Sequence, residues 1–312
     1  MGLDVRPDRE QRGDPADQPQ SHPRRSNTRC PRRHGRDGAG IARYGTQAAA
    51  RLQALKAAGI HTLVDATAPG LGRYIPRIQR LNAEVDINIV VATGVYAFLE
   101  LPNFLRYRSP EEIADLFVRE IRDGIDDTGV KAAFLKCAVE EHGLVGDVPR
   151  ILQAIAAASL ETGAPVMVHT NAAARTGLLA LEALTREGVD PANVVIAHMG
   201  DSNDLDYLRS VADQGAAIGC DRFGIEHFNP LELRIETLLA LLAEGYGDRI
   251  HLSHDAACFF DFFTGDAKFA TEEPSYLLVP KTVVPALLEA GVTREQIDAM
   301  LVDNPRHFFG RR

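Results

Sequence analysis

The chain has 312 residues, of which 45% are hydrophobic and 25% charged, enough for one large α/β barrel or two smaller domains with a substantial core. No apolar run reaches the roughly 18 residues of a membrane span, and the start lacks the basic, apolar and small-residue order of a secretory signal, so a cytoplasmic protein with no membrane partner is expected. The net charge of -9 is uneven: residues 1–43 hold ten arginines against six acids and leave the remainder at -13, an acidic body that argues against nucleic acid as a partner.

From Arg6 to Gly40 there is no Leu, Ile, Val, Met, Phe or Tyr, so this stretch has nothing to offset the entropy of ordering. Residues 1–43 are therefore expected to be a disordered basic segment, with His22 and His34 solvated, and residues 44–312 to form the globular body. Thr46–Ala58 has the helical spacing of Ala and Leu, with Gly59 as its stop. TLVD at 62–65 reads as a strand, and Ile75–Asn82 as a helix. The alternation then continues: strand 87–93, helix 110–124, strand 132–136, helix 148–163, strand 166–169, helix 176–188. Next come strand 194–198, helix 204–214, strand 216–220, helix 235–245 and strand 250–253, with closing helices over 283–290 and 294–302. Seven strands each lead to a helix, and no GxGxxG follows any of them, which favours a (β/α)8 TIM barrel over a dinucleotide-binding open sheet. The first strand of such a barrel is missing or replaced, because only the Arg/Pro/Gly tract precedes the first helix. The four cysteines, Cys30, Cys137, Cys220 and Cys258, are widely separated and suit reduced thiols.

Two apolar runs, VMVHT at 166–170 and VVIAH at 194–198, carry a histidine at the strand's end. Either histidine alone would read as a hydrogen-bonded core residue. Two in step, with Lys136 ending AAFLK and Asp255 ending IHLSHD, point to a metal centre at the carboxyl face of a barrel. Imidazole and carboxylate suit zinc and similar ions, which lower the pKa of bound water to about 7. Lys136 fits poorly, since an ammonium buried beside a cation suffers desolvation and repulsion together unless it is neutral or modified.

Taken together, GLGRYIPRI, NIVVATGVY, FLKCA, VMVHTNA, VVIAHMGDSND, GCDRFG, LSHDA and MLVDNPR resemble the phosphotriesterase-like hydrolases of the amidohydrolase superfamily, in particular lactonase-like and phosphotriesterase-homology members. The resemblance implies a carbamylated Lys136 bridging two divalent metals, most readily zinc, with His169 and His198 on the more exposed ion. Asp255 would bind the buried ion and accept a proton from the bridging hydroxide. It also implies that Tyr96 helps orient substrate and that Arg222 lines the pocket. A packing aromatic and a surface ion pair remain the alternatives for these two positions. The implied substrate is a small lactone or ester, with organophosphate triesters as a further class, and a homodimer is common in the family. Substrate choice is expected to lie in residues 97–107 and 260–280.

The family also places a His-x-His pair at the end of its first strand, and no such pair occurs in this chain. Either the chain has diverged into a one-metal or non-catalytic barrel, or its true first strand has been replaced; the abrupt change near residue 44 favours replacement.

Overall fold

The computed structural model describes residues 38–96, 99–257 and 276–310, with side chains from residue 47 onward. The disorder expected before residue 38, His22, His34, Cys30, Cys258 and the stretch 260–275 lie outside the described residues. Helix α1 spans Gly38–Ala57, so helix begins inside the segment expected to lack structure. It is followed by β1 (Thr62–Asp65), α2 (Ile75–Val85), β2 (Asn88–Gly94), α3 (Pro110–Arg122) and β3 (Phe134–Val139). The pattern continues through α4 (Val148–Thr162), β4 (Val166–Thr170), α5 (Thr176–Arg186), β5 (Val194–Ile196), α6 (Leu205–Ala212), β6 (Ala217–Cys220), α7 (Leu231–Ala243) and β7 (Ile250–Leu252).

Local chemistry explains where these elements start and stop. Ser109 and Glu112 form a reciprocal capping box at the start of α3, Pro110 sits where a missing N–H costs nothing, and Arg119 and Arg122 complement the last turn. Helix α4 ends on Gly163 at φ 73, a left-handed conformation that glycine adopts without a Cβ clash. The chain closes with Val284–Glu289 and Arg294–Asp298, the latter continuing through a wider turn into Asn304–Gly310.

The seven strands are all parallel and lie in sequence order from β1 to β7. Parallel strands covered by helices are buried on both faces, and β3 is buried at every position. One register row runs through Gly94, Lys136, Met167, Val195 and Ala217, so these side-chain positions share a face. Glycine at 94 is required there: at φ 109, a Cβ would lie 2.1 Å from the Lys136 carbonyl oxygen.

The sheet curls. Tyr96, just past β2, lies within electrostatic reach of Arg222 and Asp255, which follow β6 and β7. In a flat sheet strands five places apart would be about 24 Å from one another. Among the described residues no eighth strand joins β7 to β1, so what is seen is a seven-stranded partial barrel. The main core lies between the sheet and its helices. A smaller cluster of Ala49, Leu52, Leu55, Val85, Ile87 and Tyr276 packs α1 against the body beside β1 and β2.

Candidate active site

The carboxyl ends of the strands gather the polar residues. Tyr96 lies two residues past β2, His169 is the fourth residue of β4, His198 lies two past β5, Arg222 two past β6 and Asp255 three past β7. Lys136 was expected to end its strand, but β3 continues for three residues to Val139. Its ammonium therefore sits deeper than the rim, with only 5% of the residue exposed. Burial pushes its pKa below the ordinary lysine value, opposed by the charges of Asp255 and Asp221. That effect favours the neutral amine.

The two histidines face each other: His198 Nε2 is 2.8 Å from His169 Nδ1, and the rings meet edge to face at 4.4 Å. Each outer nitrogen is held by a carboxylate. His198 Nδ1 lies 2.7 Å from Asp221, which also accepts from the His198 backbone N–H at 3.0 Å. His169 Nε2 lies 3.2 Å from Glu140 Oε1, and the Tyr96 hydroxyl donates to the same oxygen. Burial alone would raise the two carboxyls, but His198 and Arg222 outweigh it for Asp221, and His169, Tyr96 and Arg222 outweigh it for Glu140. Both are held at about 2 and are ionised at neutral pH. Burial, with the nearby charges of His198 and Lys136, pulls His169 down to about 4, so its ring is neutral. Ionised carboxylates only accept, so each outer nitrogen carries the N–H. At 2.8 Å the two inner nitrogens share one proton, which a divalent ion would have to displace while the rings open to about 3.3 Å, the spacing set by metal–imidazole bonds of about 2.0–2.1 Å. This donor arrangement fits one divalent ion, in the carboxylate-histidine pattern that fixes a metal ligand's tautomer.

Among the described residues no group of three or more His, Cys, Asp or Glu could hold a metal ion. Asp255, expected on the buried ion, is instead 45% exposed and accepts from Arg222 Nε at 3.0 Å. Arg222 also donates to Asp201 at 2.9 Å, and Arg234 donates to the other oxygen of Asp201 at 2.6 Å. Arg222 thus links two carboxylates, with its guanidinium 4.6 Å over the Phe228 ring. Burial opposes its charge, but Asp255, Asp221 and Asp201 outweigh that and raise its pKa. Tyr96 packs edge to face on His169 at 4.8 Å, and burial with the Glu140 charge raises its pKa well above the ordinary phenol value. His198, Arg222 and Asp255 all have positive φ, at 68°, 60° and 49°.

Four participants were not singled out from sequence. Asp201 and Asp221 lie inside VVIAHMGDSND and GCDRFG, motifs in which only the histidine and arginine drew attention. Glu140 was hidden because β3 was read as ending at Lys136; extending the strand's alternation from 136 to 138 and 140 would have found it. Arg234 lies before the point where its helix was expected to begin. Conversely, His251 meets the Phe308 ring of the last helix at 5.5 Å, His254 accepts from its neighbour Ala256 N–H at 2.9 Å, and Asp65 accepts from Thr67 N–H at 3.0 Å. These are packing and turn roles.

Comparison with known proteins bears on the family and the fold. The sequence profile of the Phosphotriesterase family matches residues 32–309. A phosphotriesterase homology protein of Mycobacterium tuberculosis is 45% identical over 273 residues, 85% of this chain and 84% of the relative. An aryldialkylphosphatase of Saccharolobus solfataricus is 40% identical over 254 residues, 80% and 81% of the two chains. The solved structure of the phosphotriesterase from Mycobacterium tuberculosis superposes with a TM-score of 0.81 at 44% identity, over 86% of this chain and 85% of the other. The profile begins at residue 32, ahead of the change in composition near residue 44. On this evidence the chain belongs to the phosphotriesterase family.

Proposed function

We propose that this protein is a metal-dependent hydrolase of lactones or related esters, with organophosphate triesters as a second substrate class. The observation that carries the reading is the facing pair His169 Nδ1 and His198 Nε2, each backed by a carboxylate. These two rings would hold a divalent ion, zinc being the first candidate, with a third donor from Lys136 once its amine is carbamylated. Held there, such an ion would supply Lewis-acid chemistry, activating water at neutral pH and polarising the substrate's carbonyl or phosphoryl oxygen.

The remaining steps belong to the side chains. Asp221 keeps His198 in the tautomer that presents Nε2 inward. Asp255, half-exposed beside Arg222, would take the proton lost by the attacking water and return it to the leaving alkoxide as the ester bond breaks. Arg222 holds that carboxylate in place. Tyr96 stays protonated, because burial and Glu140 raise its pKa, and with its one O–H given to Glu140 its hydroxyl oxygen would meet a substrate as an acceptor. The name of the Saccharolobus solfataricus relative supports the triester class. Another relative, the N-acetyltaurine hydrolase of Danio rerio at 27% identity over 262 residues, supports hydrolysis at an acyl carbon.

A second reading is a binding barrel without turnover. It is favoured by the lack, among the described residues, of any group of three or more His, Cys, Asp or Glu placed to hold a metal, and by the commitment of Asp255 to Arg222. The deciding experiment is hydrolysis of a lactone and an aryl phosphotriester by zinc-loaded protein, with and without chelator. The hydrolase reading expects chelator-sensitive turnover that His169→Ala and Asp255→Ala abolish; turnover unaffected by either substitution would reject it.

A further inference from the structure

Glu140 backs His169 through one oxygen that touches two of the site's principal groups. Oε1 lies 3.2 Å from His169 Nε2 and accepts from the Tyr96 hydroxyl, and the Tyr96 ring itself packs on His169 at 4.8 Å. Its neighbour Glu141 turns to solvent, with 62% of the side chain exposed against 19% for Glu140. The alternation of β3 accounts for the difference: Glu140 continues the face of Lys136 and Ala138, whereas Glu141 falls on the other.

We propose that Glu140 is a positioning residue that keeps the site receptive to a metal ion, by holding His169 with its proton on Nε2 and its lone pair on Nδ1 turned inward. The inference rests on the hydrolase reading above and extends it. The physical reason lies in the alternative tautomer. If nothing accepted from Nε2, the imidazole could place its proton on Nδ1 and donate across 2.8 Å to His198 Nε2. That single hydrogen bond would satisfy both rings and occupy both inner nitrogens, closing the site to a cation. A carboxylate oxygen at Nε2 opposes this exchange. Because the same oxygen accepts from Tyr96, the tyrosine and the histidine are fixed as one unit.

The test uses the full-length protein equilibrated with zinc, measuring transfer to a competing chelator, and reads the His169 tautomer from ring 15N shifts. Glu140→Ala is expected to weaken zinc binding 10- to 100-fold, the usual loss when a ligand's supporting carboxylate is removed. It should also move the His169 proton to Nδ1 in the zinc-free protein. Glu140→Gln keeps an acceptor oxygen and should recover most of the affinity, and Tyr96→Phe, which leaves the Glu140–His169 contact in place, should hold zinc as the wild type does. A Glu140→Ala protein that unfolds at the wild-type temperature when zinc-free, and binds zinc as tightly with an unchanged tautomer, would overturn the proposal while leaving the hydrolase reading intact. A wild type that takes up no zinc would overturn both.

Discussion

Two residues set most of the site's behaviour. Asp221 supports His198 as Glu140 supports His169, but more tightly, with one oxygen on the ring and the other on the backbone N–H. Asp221→Asn is therefore expected to lower zinc affinity by about 10- to 100-fold with little loss of fold, checked by chelator competition and circular dichroism. A second prediction concerns His251, whose ring packs on Phe308. Burial among the closing helices depresses its pKa from 6.5 to about 4, so the folded state binds fewer protons than the unfolded state between those values. Its contribution is fully present above about pH 6.5 and is lost as the pH falls towards 4, by up to roughly 3 kcal/mol. Urea titrations at pH 7 and pH 4.5 should show that His251→Phe narrows the gap between the two midpoints.

At the scale of elements, an ion pair ties the segment before α2 to α3. Arg73 grips Glu120 with two parallel bonds of 2.6 and 2.7 Å, both side chains under a tenth exposed, and also donates to the Ala92 carbonyl at 2.9 Å. Removing one partner leaves a buried charge, so Glu120→Ala should cost about 3–5 kcal/mol in a denaturant titration. Gly94→Ala would drive a Cβ into the backbone of Lys136, and a protein that folds with it should have lost both stability and zinc uptake. The order of these elements was legible in the sequence, because helix and strand periods alternate cleanly from residue 62 onward. Their ends were less so: β3 outran its apolar signal, since Cys137, Ala138 and Val139 extend it beyond Lys136, and α7 starts four residues before Ile235. The two facing histidines could be read because each closes an apolar run. Glu140, Asp201 and Asp221 could not, because an acid beside a turn looks the same whether it caps a helix or steers an imidazole. No periodicity records a partner 23 or 29 residues away.

At the scale of the whole molecule, the described residues hold one facing histidine pair and no group of three or more His, Cys, Asp or Glu placed to hold a metal, so elemental analysis of zinc-equilibrated protein should return at most one ion per chain; two would require donors outside them. Chelation should also lower the unfolding temperature, because an ion bound only by the folded state stabilises it in proportion to ln(1 + [L]/Kd). No helix among the described residues is long and apolar enough to cross a membrane. The three turns that carry His198, Arg222 and Asp255 follow consecutive strands, and each holds a bulky residue where L-amino acids rarely rest. Such backbones cost about 1–3 kcal/mol apiece, tension that the neighbouring strands must sustain. Robustness and sharp aim are thus opposed in this protein: relaxing any of the three corners would toughen the scaffold while letting its working groups drift.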